Sequence, residues 1–206
     1  AVAGDQKVFR ALIEEAGGAW ARDPHELLEL AKALAEPRAR VSPGAGLAVL
    51  TCSGGDSGIA GDEAERIGVP LPQLAPDTEA KLEKLLPAEA TIANPLDYTA
   101  IIWGDVERLR EITATVGADP SIEQLMVLYD HPRNMFGPGA ESWDDVRAGI
   151  IAGAEATDAS VLVSSTLPDL IDDAACEELS VRGVVPLSGV RTALSVARAL
   201  RRPPGD

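Results

Sequence analysis

Aromatic residues make up only 3% of this chain of 206, and there are only two cysteines and two histidines. The shortage of aromatics leaves the core to Ala, Val, Leu and Ile, a bias that suits helices packed on a parallel sheet. Cys52 and Cys176 lie far apart and lack metal-type spacing, which argues against a cysteine metal site. They read as free thiols of a reducing cytoplasm. Lysine occurs four times (Lys7, Lys32, Lys81, Lys84), too few for a basic patch. A formal charge of −15 argues against nucleic acid and anionic membrane surfaces as partners. No run of about eighteen apolar residues is present to span a bilayer, and the opening does not read as a signal peptide. Cytoplasmic placement is the expectation.

What is present is an alternation of helix and strand. Apolar residues reach 46%, enough for a sizeable core. Val8, Phe9, Leu12, Ile13 and Ala16 recur at helical spacing, and Gly17-Gly18 closes that helix. Asp23 caps a second helix with Pro24 at its first position and Glu26 three residues on. Residues 37–46 read as a linker. Strands are expected at 47–50, 124–129, 160–164 and 184–187, with a short extended piece at 69–74. Helices are expected at 63–68, from a cap at Asp77 to Pro87, and at 105–116, 141–156, 169–181 and 190–200. Asn94-Pro95-Leu96-Asp97 reads as a turn, because a proline pushes the residue before it out of the helical region. The order predicts an α/β fold, a flavodoxin-like doubly wound parallel sheet of about five strands with an N-terminal helical extension. Residues 1–40 would form the extension and linker, and 41–206 the flavodoxin-like domain.

In such sheets ligands bind beyond the strand C-termini, near the point where strand order reverses. The run from Thr51 to Asp62 falls there, between an expected strand and an expected helix. Ser53, Gly54, Gly55, Asp56, Ser57 and Gly58 are the candidate phosphate-binding residues. Free N–H groups and the dipole at a helix start favour an anion, and glycines let it approach the backbone. The run lacks the Gly-Lys-Ser/Thr close of a Walker A loop and the glycine spacing of a dinucleotide fingerprint. Gly55-Asp56-Ser57-Gly58 resembles the nucleophile segment of trypsin-like proteases. That reading fails, because it needs a β-barrel with a histidine and an aspartate upstream, and the only upstream histidine is His25 in a helical pattern. Cys52, Asn94, Asp97, His131 and Arg133 are the candidate site-lining residues. His131 and Arg133 follow a strand end, Asn94 and Asp97 shape the expected turn, and Cys52 stands at the loop mouth. No acidic pair has metal spacing, so no metal site is expected; Asp144-Asp145 reads as a solvated helix face. Trp20, Trp103 and Trp143 read as packing residues.

Several of these segments together resemble the NDP-forming acyl-CoA synthetase superfamily, which includes ADP-forming acetyl-CoA synthetase and succinyl-CoA synthetase. The similar region is the second flavodoxin-like CoA-ligase domain. Ala1-Val2-Ala3-Gly4 and the helix after it resemble that family's Ala-Leu-Ala-Gly segment. Thr51 to Asp62 is similar to its Thr-Asn-Ala-Gly-Gly-Pro-Gly loop. Leu85-Leu86-Pro87 and Asn94-Pro95-Leu96-Asp97 resemble its Leu-Leu-Pro and Asn-Pro-Val-Asp signatures. The resemblance implies a module of an enzyme converting acid, CoA and NTP to acyl-CoA, NDP and phosphate through a phosphohistidine. The implied histidine lies upstream of Ala1, so no catalytic residue is expected within this fragment and it would be inactive alone. The parent would use CoA, ATP or another NTP, and Mg, none of them bound by this domain by itself. Its partners would be a CoA-binding domain, an ATP-grasp domain and a small carboxylic acid, with a homo-oligomer left open.

Three residues depart from the family pattern. Cys52 stands for asparagine, Asp56 for proline and Ser57 for glycine. A carboxylate at a phosphate-facing helix start can cap the amides itself and repels phosphate. The alternative is therefore a non-catalytic regulatory or scaffold domain of the same ancestry. A free-standing flavodoxin-like binding protein is a third reading.

Overall fold

A computed structural model of the protein describes residues 4–42, 46–135, 137 and 139–201. Ala1-Val2-Ala3, the end of the expected linker at 43–45, Phe136, Pro138 and the last residues 202–206 lie outside the described residues.

The first helix, α1 (Gln6–Glu15), starts where the Asp5 carboxylate accepts from the amides of Lys7 and Val8. It has no buried residue. In α2 (Pro24–Ala35) the Asp23 side chain accepts from Glu26 N, as the Asp-Pro-His-Glu pattern predicts. β1 (Gly46–Thr51) is buried along its whole length, the sign of a strand covered on both faces. The chain continues through α3 (Gly54–Ile67), α4 (Pro76–Leu85), β2 (Leu96–Asp97) and α5 (Val106–Gly117). β3 (Ile122–Leu128), α6 (Glu141–Glu155) and β4 (Ser160–Ser164) follow. It ends with α7 (Asp173–Val181), β5 (Val185–Leu187) and α8 (Val190–Ala199).

The five strands are all parallel, in the order β2-β1-β3-β4-β5. This is the doubly wound flavodoxin-like arrangement, with its reversal between β1 and β3. One face carries α4 to α7, with Leu82, Ile112, Val116 and Ile150 packed on Leu125 and Val127. The other carries α2, α3 and α8, with Leu30, Ala64 and Leu194 packed on Val49, Met126 and Leu162. Two glycines set the spacing on the first face. A Cβ on Gly149 would come within 2.8 Å of Leu109 Cβ, and one on Gly153 within 2.4 Å of Thr113 Cβ. Larger residues there would push α6 away from α5.

Four boundaries differ from the sequence expectation. The helix expected at 63–68 begins at Gly54, so most of the supposed loop is helix. The fifth strand is Leu96–Asp97, not residues 69–74, which are irregular. The residue before α4 is Ala75, and Asp77 lies inside its first turn. Residues 169–172 precede α7 rather than open it, because Asp172 and not Asp169 caps its first turn through Ala175 N. No helix among the described residues is long and apolar enough to cross a membrane.

Candidate functional site

The point of strand reversal gathers the ends of β1, β2 and β3 around the start of α3. β1 delivers Thr51, whose hydroxyl donates to Ser53 O at 3.0 Å and lies 2.6 Å from Ser57 Oγ. Those contacts fold the chain sharply from strand into helix, with Ser57 N on Ser53 O at 3.0 Å. Ser53 occupies the cap position, yet its side chain makes no capping bond. The amides of Gly54, Gly55 and Asp56, the first turn of α3, meet no acceptor among the described residues. Open first-turn amides carry the positive end of the helix dipole. Gly54 and Gly55 keep the approach clear of side chains. A Cβ added at Gly54 would meet only Asp97 Oδ2, at 3.5 Å.

Three carboxylates surround this turn. Asp56 lies in it, Asp97 ends β2, and Asp130 follows β3 by two residues. Asp56 titrates above the ordinary carboxylate range, first because it is partly desolvated and then because Asp130 and Asp97 oppose its charge. It caps none of the free amides. Cys52 is half-buried, and its thiol is pushed up to about 11 by burial and then by Asp56, with Asp97 and Asp130 adding to it. A thiol with so high a pKa is protonated at neutral pH and a poor nucleophile. Among the described residues no group of three or more His, Cys, Asp or Glu is placed to hold a metal ion.

The other expected site residues divide. Asp97 is at the site and accepts from Thr99 N at 2.9 Å. Asn94 is not at the strand end. It lies beside the middle of β1, accepting from Val49 N at 3.0 Å and donating to Leu47 O at 2.8 Å and Pro72 O at 3.0 Å. Its amide replaces a strand neighbour where β2 is too short to reach. His131 continues from β3, with Nδ1 3.1 Å from Asp172 Oδ2 and Nε2 3.7 Å from Asp144 Oδ1. Its Nδ1 is buried without an aligned hydrogen bond. Arg133 is exposed and pairs with Asp173 at 3.1 Å. Both residues face the α6–α7 side, where His131 meets the α7 cap Asp172 and Asp144 in the first turn of α6, and Arg133 meets Asp173 in the first turn of α7.

Sequence reasoning does not single out three further features. Asp130 binds the next crossover, accepting from Thr166 N at 2.8 Å and Thr166 Oγ1 at 2.7 Å. Thr99 has φ 67°, a backbone region that β-branched residues avoid. Such strain persists only where the surroundings impose it, commonly at working sites. Arg147 is nearly buried and joins Asp144, Glu178 and the Tyr129 hydroxyl. The sequence signal for Asp130 was its position just past a strand end. Thr99 and Arg147 carried none.

No protein-family model matches the chain. ADP-forming acetate–CoA ligase I of Archaeoglobus fulgidus is 31% identical over 189 residues, covering 88% of this chain and 26% of the ligase. The alpha subunit of ADP-forming acetate–CoA ligase II of Pyrococcus furiosus is 28% identical over 128 residues, covering 62% of this chain and 27% of the subunit. The chain thus spans about a quarter of the length of these curated relatives. Among solved structures, the apo form of the dinucleotide-forming acetyl-coenzyme A synthetase 1 of Ca. Korarchaeum cryptofilum superposes with a TM-score of 0.75 at 24% identity. That superposition covers 97% of this chain and 42% of the other.

Proposed function

Because this chain is a domain of the NDP-forming acyl-CoA synthetase superfamily, we propose that it presents the first turn of α3 to a phosphoryl group in a larger acyl-CoA synthetase. The parent reaction would join a small carboxylic acid to CoA at the expense of an NTP, with a phosphohistidine outside this chain as carrier and Mg on the nucleotide. A CoA-binding domain and an ATP-grasp domain would supply what this domain lacks. Residues 1–40 would act as a helical extension of the domain at 41–206. The observation that carries the proposal is the uncapped start of α3 at the strand reversal, where three amides have no acceptor among the described residues. Preorganised N–H groups aimed at one point stabilise a phosphoryl group without reorganising as it arrives. The Ser53 hydroxyl, with Gly54, Gly55 and Gly58, would complete the cradle, while the Ser57 hydroxyl donates to Thr51 and holds the turn.

A second reading rests on one specific observation. At the mouth of this turn the ionisation of Asp56 is opposed by partial burial and then by the charges of Asp130 and Asp97. A site that repels its own ligand fits a regulatory or scaffold domain that has lost the chemistry. The two readings separate in the full-length parent. Incubated with γ-labelled ATP, a working synthetase acquires acid-labile label that CoA and one acid of a panel discharge. Gly55→Glu, which fills the open turn, would slow that discharge. A folded parent that takes up no label would overturn the first reading and leave the second.

A further inference from the structure

On the face covered by α2, α3 and α8, a cavity of about 260 Å³ opens beneath α1 and the connection from α1 to α2. It lies toward the C-terminal ends of α3 and α8, at Arg66 and Arg198. The turn at Gly54 is at the opposite end of α3. Arg10, Arg22, Arg66 and Arg198 line the cavity, four of the chain's fourteen arginines, together with Trp20, Glu14 and Glu26. Arg10, Arg22 and Arg66 are paired with Glu14, Glu26 and Glu63, which leaves an excess of one positive charge, Arg198, in a chain whose formal charge is −15.

The glutamates do not use up this excess. Arg10 hydrogen-bonds Glu14 through Nε at 2.9 Å, and Arg22 binds Glu26 through Nε. Arg66 turns both Nε and Nη2 to Glu63. Arg198 has no carboxylate partner among the described residues. A guanidinium has five N–H donors, so Arg10, Arg22 and Arg198 retain donors after these pairs form. Cations that line one cavity repel one another, and a dianion among them offsets that repulsion. The planar fork of arginine suits phosphate, which it can bind through two parallel bonds. Trp20 is half-buried and held by edge contact with Phe9, their ring centroids 6.0 Å apart. It gives the cavity an aromatic wall. The volume lies just under the usual small-ligand range of about 300–1,000 Å³, which excludes a whole dinucleotide.

The geometry points to a binding site for a mononucleotide-sized aromatic phosphate, with its phosphoryl group among Arg10, Arg22 and Arg198 and its ring against Trp20. The shared chemistry is a phosphorylated nucleoside, either free or as one end of a larger cofactor. This site does not depend on the reading of α3.

The test is a titration of the ¹⁵N-labelled chain with AMP, adenosine, inorganic phosphate and CoA. The Trp20 indole N–H, assigned through Trp20→Phe, reports the cavity, and the Gly54 and Gly55 amides report α3. AMP is expected to shift the Trp20 indole saturably, and adenosine to bind about tenfold more weakly or worse. Arg198→Gln, at an exposed position, is expected to weaken AMP about tenfold, and Arg22→Gln to do the same. CoA binding tighter than AMP would identify the cofactor end as the ligand, and AMP binding tighter would identify the free nucleotide. An absence of saturable Trp20 shift up to about 10 mM AMP would overturn the site. So would an AMP affinity indifferent to both arginine variants, or AMP shifts confined to Gly54 and Gly55.

Discussion

Asp56 is the residue on which the chemistry of the α3 turn depends. It opposes an incoming anion, and its own ionisation is opposed by Asp130 and Asp97. A unit charge roughly 6 Å from a dianion in a water-like medium contributes about 1.4 kcal/mol, or about tenfold in affinity. Asp56→Asn is therefore expected to tighten sulfate binding by up to about tenfold by calorimetry. Asn keeps the backbone N–H at this position; Pro, the family residue, removes one of the three donors. The pH dependence has the same cause. Burial and neighbouring carboxylates raise the Asp56 pKa, so the neutral form is reached earlier as pH falls. Sulfate stays dianionic across this range, and its affinity should rise as pH drops from about 7 toward the Asp56 pKa, which lies above the usual value of about 4. In Asp56→Asn that rise should shrink. A sulfate affinity equal in the two proteins at every pH would show that Asp56 points away from the anion.

Cys52 and Asn94 make the same point about environment. With its thiol pushed up to about 11, Cys52 should react with iodoacetamide far more slowly at neutral pH than an unperturbed cysteine, and speed up only in strong alkali. Rapid labelling at pH 7 would contradict its half-buried placement beside these carboxylates. Asn94 satisfies three backbone groups at once. Asn94→Ala leaves them unpaired and should destabilise the fold by about 1–3 kcal/mol in urea unfolding. A change below about 0.5 kcal/mol would mean that water takes over those bonds.

At the scale of elements, the clearest signals were those in which cap and periodicity agree. Asp23, Pro24 and Glu26 announce α2, and an unbroken apolar run announces each of β1, β3 and β4. The start of α3 was hidden because Gly54, Gly55, Gly58 and Gly61 all disfavour helix. Packing of Ala60 and Ala64 on the sheet outweighs that preference. β2 was hidden because Asn-Pro-Leu-Asp is good turn chemistry and the strand is only two residues long; the side chain of Asn94 supplies the missing pairing. α7 begins late because residues 165–171 are bound to the β3 end, through Thr166 on Asp130 and His131 N on Leu170 O. The location of the candidate site was legible from the strand, glycine run and helix order. Of its acidic surroundings, Asp56 and Asp97 were among the expected site residues, whereas Asp130, which follows β3, was not. One element contact gives a direct check. Gly153→Ala drives a Cβ into Thr113, and the clash should outweigh the better helix propensity of alanine, with a net loss of about 1–3 kcal/mol. A more stable variant would show that α5 and α6 can separate freely.

For the whole molecule, the parallel sheet and its two helix layers place the α3 turn at the one edge where strand ends, a helix start and open amides coincide. The surplus of negative charge keeps that edge from being a general anion trap, so an anion bound there is held by directed N–H groups. The central claim is that this turn receives a phosphoryl group. The most direct measurement is an amide titration of the ¹⁵N-labelled chain with inorganic phosphate at neutral pH, beside a sodium chloride control. The account predicts saturable shifts at Gly54, Gly55 and Asp56 with phosphate that chloride at equal ionic strength does not reproduce. Amides that stay still, or that follow chloride equally, would contradict it.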